Sequence, residues 1–250
     1  MNNTQRILVL LALVLSLNAW SDDLCKPSKW GKSDEIGAAN HVTQNQVMMA
    51  SKLIKQGKTH PLGIVIETGM PAFPPRYTKL QVVQPGQQFG ADGTEVYGWP
   101  SSYNDDVLQM WLGTGPQLDG LGHMGEAGQF YNCNMGKDFS DVSGLTKLGI
   151  EKVPPLVGRG VLINMAAYYG VDSMSAGQPI SSADIKQAAK LQGINIHRGD
   201  VVLFHTGWTD AKLKSEPELW VRTIPGITNE AAVYLASLSP MAVGADTWGL

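Results

Sequence analysis

Three polar side chains, Gln117, Asp119 and His123, lie in one glycine-rich run, Gly113-Thr114-Gly115-Pro116-Gln117-Leu118-Asp119-Gly120-Leu121-Gly122-His123. A carboxylate and an imidazole at this spacing can hold a divalent cation or pass a proton, because imidazole titrates near neutral pH. Asp119 is then a metal ligand, or else a loop aspartate bonded to nearby backbone amides. His123 is a proton relay to a leaving amine, or a histidine fixed by a hydrogen bond. Gln117 offers a neutral amide oxygen, a weak ligand for zinc, or it orients a substrate and ties down the loop.

Other candidates are spread along the chain. His205 ends the apolar run Val201–Phe204 and precedes Thr206-Gly207-Trp208, so it is placed where a strand opens into a loop. Asp246 follows a second apolar run and is either an electrostatic support or a turn residue. Phe73, Trp99, Tyr103, Trp111 and Tyr131 could line a pocket for an aryl substrate, or fill the core as large aromatics usually do. His41, His60 and His197 flank expected helices or turns and carry little weight. There is no Gly-x-Ser-x-Gly elbow, P-loop or dinucleotide fingerprint.

The elements that must position these groups can be read from pattern. Glycine and proline exclude regular structure from 113–123, and Val107–Leu112 before it reads as a strand. Strands are expected at Leu62–Glu67, Lys79–Gln84, Gly160–Met165, Asp200–His205 and Met241–Ala245, with Gly160–Met165 and Asp200–His205 buried. Helices are expected at Gln44–Gln56, Ser182–Gln192 and Asn229–Leu238. The first has a Thr43/Gln46 capping pair and an apolar face of Val47, Ala50, Leu53 and Ile54. Met70–Pro75 must be an extended loop, and Glu126–Pro155 is irregular. Strands dominate the first half and alternate with helices in the second, which predicts an α/β layered domain.

The glycine-rich run resembles the HxGTHxDxPxH motif of the metal-dependent cyclase/arylformamidase (kynurenine formamidase-like) family. Asp119 and His123 match its Asp and final His, and Gly115 matches its Gly. Gly113, Pro116, Gln117 and Leu121 stand in place of the first His, the Thr, the second His and the Pro. Trp30-Gly31, Asp34–Asn40, Tyr131-Asn132, Gly199–Phe204, Thr206-Gly207-Trp208 and Gly244–Thr247 are similar to the larger bacterial members. The match runs from about Trp30 to the last residue.

The resemblance implies a swivelling β/β/α fold and a zinc or manganese ion. It also implies hydrolysis of a C–N amide bond in a small aromatic or cyclic substrate by metal-activated water. Asp119, with Gln117, would hold the metal, and Asp119 and His123 would be catalytic. Gln117, Trp111, Phe73, Tyr131 and His205 would contact substrate. A homodimer or larger homo-oligomer is the family habit. The family's later His/Glu ligands follow the Gly-x-Asp-Thr element, and the chain ends at Leu250, three residues after Thr247. The domain, 22–250, is therefore expected to be incomplete at its C-terminus. Loss of the early histidines keeps a second reading open, a metal-free small-molecule-binding protein or an inert truncated product.

Composition bounds the rest. Two hundred and fifty residues suffice for one domain with a substantial core. A formal net charge of −3 with no basic cluster argues against nucleic acid. Residues 1–21 read as a signal peptide: Arg6, the apolar run Ile7–Leu17, then Ala19-Trp20-Ser21 before Asp22. The run is shorter than the ~20 residues of a membrane span, although an uncleaved anchor is the alternative. Export to the periplasm is expected, with no membrane attachment after cleavage. Removing Arg6, the one charge in 1–21, takes the net charge from −3 to −4. Cys25 and Cys133 then form one bridge in an oxidising compartment or remain two unrelated thiols.

Overall fold

The computed structural model describes residues 25–83 and 103–250. The expected signal peptide, Trp99 and the last residue of the Lys79–Gln84 strand lie outside them. Among the described residues no helix is long and apolar enough to cross a membrane.

In chain order the elements begin with α1 (Gln44–Ser51), β1 (Thr78–Val83) and β2 (Asp105–Met110). Short pieces follow: β3 (Gln129–Phe130), β4 (Asn134–Met135), α2 (Gly136–Phe139), β5 (Ser140–Asp141) and β6 (Gly144–Leu145). Then come β7 (Gly160–Asn164), α3 (Met165–Tyr169), β8 (Pro179–Ile180), α4 (Ser182–Leu191) and β9 (Val201–His205). The chain closes with α5 (Trp208–Lys212), α6 (Pro217–Arg222), β10 (Gly226–Ile227), α7 (Asn229–Leu238) and β11 (Ala242–Ala245). The expected α/β class is present.

The chain divides into two compact units. The larger holds Met48–Gln117 and Gly158–Leu250. Its centre is a parallel sheet in the order β11-β9-β7. Side chains alternate across a strand, so Val161 and Ile163 of β7 and Val202 and Phe204 of β9 share one face. That face packs against Ile185, Ala188 and Ala189 of α4 and Ala231 and Leu235 of α7. Burying each larger aliphatic or aromatic side chain there contributes roughly 1.5–3 kcal/mol.

Both covering helices begin at an oxygen-bearing cap. Ser181 Oγ accepts the Asp184 amide at 3.2 Å while the Asp184 carboxylate accepts the Ser181 amide at 2.9 Å. Thr228 Oγ1 accepts the Ala231 amide at 3.2 Å at the head of α7. β1 and β2 form a separate antiparallel pair, with Thr78 opposite Met110 and Val83 opposite Asp105.

Some sequence expectations are corrected. Leu62–Glu67 forms no strand, and Leu62 and Val65 are exposed. The run Ile64-Val65-Ile66 gives it β-like composition, but among the described residues no ladder partner takes it up. The first helix stops at Ser51, five residues short of Gln56, and buries none of its residues. The Thr43 cap does form, to the Gln46 amide at 3.2 Å. β7 is buried on one face only: Leu162 is 56% exposed. A continuous apolar run therefore did not mark a strand covered on both sides.

The smaller unit contains the described residues up to Val47 and Leu118–Val157. It is mostly irregular, as expected for Glu126–Pro155, with two-residue strand pairs β3·β4 and β5·β6. Cross-links do what regular structure does elsewhere. Cys25 and Cys133 are disulfide-bonded. The Asn132 side chain accepts the Ser28 amide at 2.9 Å and donates to the Gly31 and Asp34 carbonyls at 2.9 and 3.0 Å. Glu35 accepts the Leu148 amide at 2.7 Å and pairs with Lys152.

Candidate functional site

Parallel register creates the site. β9 and β11 pair Phe204 with Ala245, so the next residues, His205 and Asp246, emerge side by side at the carboxyl ends of the strands. In open parallel sheets this is the edge where ligands bind. His205 Nδ1 lies 3.1 Å from Asp246 Oδ2.

The carboxylate is fixed from its other sides. Asp246 Oδ1 accepts the Thr206 amide at 2.8 Å and the Thr206 hydroxyl at 2.6 Å, and Oδ2 accepts the Gly207 amide at 2.8 Å. Gly207 is required by the turn. Its φ is +72°, and a Cβ there would come within 2.1 Å of the Asp172 carbonyl oxygen.

His205 and Asp246 open into a cavity of about 330 Å³ in the larger unit. Its walls include Trp220, Trp248, Thr209, Asp210 and Leu62–Ile64. Gly115 and Pro116 of the glycine-rich run also line it. The tryptophans are held by hydrogen bonds: Trp220 Nε1 donates to Thr209 Oγ1 at 3.0 Å, and Trp248 Nε1 to the Trp220 carbonyl at 2.7 Å. Thr209 Oγ1 in turn donates to the Asp246 carbonyl. Phe73 stands edge-on to Trp248 with ring centroids 4.5 Å apart, packing against that wall residue. Thus His205 and Phe73, named from sequence, belong to or buttress one cavity. Trp220, Trp248 and Thr209 were not foreseen; tryptophans near Asp246 and after Pro217 were their only sequence signal.

The remaining predicted residues are described within their own units. Asp119 and His123 lie in the smaller unit, with Asp119 Oδ1 and His123 Nε2 3.9 Å apart and both side chains substantially exposed. Their loop runs close to a neighbouring backbone. Gly122 donates to the Leu148 carbonyl at 3.1 Å, and a Cβ at 122 would meet that same oxygen at 3.1 Å. Gln117 is in the larger unit, where its Oε1 and the Arg76 guanidinium flank Gly113: a Cβ there would lie 3.1 and 2.7 Å from them. Trp111 is half exposed just past β2, its amide bonded to the Tyr77 carbonyl at 3.1 Å. The Tyr131 hydroxyl is engaged within the smaller unit by Asp34 and Ser28, at 2.5 and 2.8 Å.

Asp119 and His123 carry donor atoms that zinc or manganese accepts, but they are two. Among the described residues no three His, Cys, Asp or Glu side chains come together, and a catalytic zinc takes three protein ligands. The described side chains do not complete a metal site.

A search of curated proteins returned no significant match. Solved structures do match. That of a novel cyclase superposes with a TM-score of 0.81 at 30% identity, covering 88% of this chain and 76% of its own. Isatin hydrolase A from Ralstonia solanacearum gives a TM-score of 0.53 at 16% identity, covering 75% and 65%. Isatin hydrolase A from Labrenzia aggregata, bound to benzyl benzoate, gives 0.50 at 18%, covering 75% and 67%. At those identities the likeness to the two hydrolases shows the fold alone. The family described as "Putative cyclase" matches residues 59–250. The chain belongs to the cyclase family.

Proposed function

We propose that this chain is a hydrolase of C–N amide bonds in small aryl or cyclic substrates. The observation that carries the reading is the cavity at the carboxyl ends of β9 and β11. There Trp220 and Trp248 offer flat apolar walls beside the polar pair His205 and Asp246, with the glycine-rich family loop entering at Gly115 and Pro116. Such a site suits a planar ring carrying one polar, reactive group. The substrate named for the two isatin hydrolases is a cyclic aryl amide, which supports the same class here.

The Cys25–Cys133 bond supports the further proposal that the protein is exported, since disulfides persist in oxidising compartments. A second reading, ligand binding without turnover, is favoured by the incomplete donor set around Asp119 and His123. A panel of aryl formamides and cyclic aryl amides separates the two. The hydrolase reading expects saturable release of carboxylate and amine in proportion to protein. Saturable binding with no product would contradict it and establish the binding role.

A further inference from the structure

We propose that His205 is the proton acceptor of this cavity, a catalytic residue, and that Asp246 is the positioning residue that fixes its tautomer. The inference rests on the amide-hydrolase reading for its reaction, although the oriented imidazole can be tested without turnover.

Asp246 presents an acceptor oxygen to His205 Nδ1 at 3.1 Å. Three donors hold that carboxylate: the Thr206 amide, the Thr206 hydroxyl and the Gly207 amide. Both backbone amides lie in the turn that leaves β9, so the carboxylate cannot rotate away without orphaning them. A carboxylate oxygen this close to Nδ1 favours the tautomer with the proton on Nδ1 and the lone pair on Nε2. The ring lines the cavity and its side chain is 34% exposed, so water reaches the imidazole there.

The reaction balances with water as the co-reactant. As a water oxygen bonds to the amide carbon, one water proton passes to Nε2. The C–N bond then breaks and Nε2 returns that proton to the leaving nitrogen. One carboxylic acid and one amine result, and the imidazole is regenerated. Positioned acid–base groups of this kind contribute ~10²–10⁴-fold.

The test compares wild type, His205→Ala, His205→Gln and Asp246→Asn on an aryl formamide, alongside imidazole ¹⁵N NMR at pH 8. In wild type the Nδ1–H tautomer is expected. Both His205 variants should lose ~10²–10⁴-fold in kcat, and added imidazole should partly restore His205→Ala, which a merely structural role would not allow. His205→Gln keeps bulk and a donor toward Asp246, so its loss cannot be assigned to collapse of the wall. Asp246→Asn should shift the tautomer toward Nε2–H. Wild-type turnover retained in both His205 variants overturns the assignment while leaving the hydrolase reading intact. Absence of wild-type turnover overturns that reading instead, and the NMR then decides: an Nε2–H tautomer in wild type overturns the oriented acceptor, and Nδ1–H supports it. Loss of a stoichiometric bound metal in His205→Ala would also overturn it, by making the imidazole a ligand.

Discussion

The Tyr131 hydroxyl donates to Asp34 Oδ2 at 2.5 Å across 97 residues of chain. Burial and that carboxylate together push the phenol up to about 12. Hydrogen bonds to charged acceptors contribute ~1.5–3 kcal/mol, less where solvent competes. Tyr131→Phe should therefore destabilise the smaller unit by about 1–2 kcal/mol without altering KM. Denaturant unfolding and steady-state kinetics check this; a raised KM at unchanged stability would assign Tyr131 to the substrate instead.

The same network sets a pH window. Burial alone would raise the Asp34 carboxyl, but hydrogen bonds from Tyr131, Asn40, Ser28 and the Ile36 amide outweigh it and leave it below its ordinary 3.8. A depressed carboxyl stabilises the fold above its unfolded value, and that contribution disappears as pH falls through the folded one. The raised Tyr131 works in the opposite direction. Its contribution is complete below about 10 and disappears as pH rises toward about 12. Thermal midpoints should fall at both edges, and Tyr131→Phe should flatten the alkaline edge. An alkaline edge unchanged in that variant would contradict the assignment.

Cys25 and Cys133 are 108 residues apart. Closing a loop of that length in the unfolded chain corresponds to ~4–5 kcal/mol in the chain-entropy account. Reduction, or Cys133→Ser, should lower stability by an amount of that order. A shift below about 1 kcal/mol would mean that the Asn132 and Glu35 cross-links suffice.

Trp248 lines the cavity, packed edge-on against Phe73 and anchored on the Trp220 carbonyl. Trp248→Ala removes one flat wall and should raise KM for aryl substrates about tenfold, equivalent to ~1.4 kcal/mol. The effect on an aliphatic formamide should be smaller. Equal losses for both substrate types would show that the wall does not read the ring.

Local chemistry made much of this fold legible. The helices at Ser182–Leu191 and Asn229–Leu238 and the strand at Val201–His205 follow from short-range pattern. Leu62–Glu67 fails because β-like composition says nothing about whether a ladder partner exists. The α1 face fails because amphipathic spacing does not guarantee a surface to cover it. The site was harder still. His205 could be singled out as a strand-end residue and Asp246 only as a turn or support. What joins them is the register of two parallel strands whose paired residues are 41 apart in sequence, which neither segment encodes alone. The glycine-rich loop identified the family, yet its Asp119 and His123 sit in the smaller unit, while Gly115 and Pro116 line the cavity.

Amide hydrolysis is the central claim, and oxygen isotope tracing tests it most directly. The purified protein would be incubated with formanilide in H₂¹⁸O, and the formate examined by mass spectrometry against a protein-free control. The account predicts protein-dependent formate carrying one ¹⁸O, with aniline released in equal amount. Formate no faster than in the control, or protein-dependent formate without the label, would contradict it.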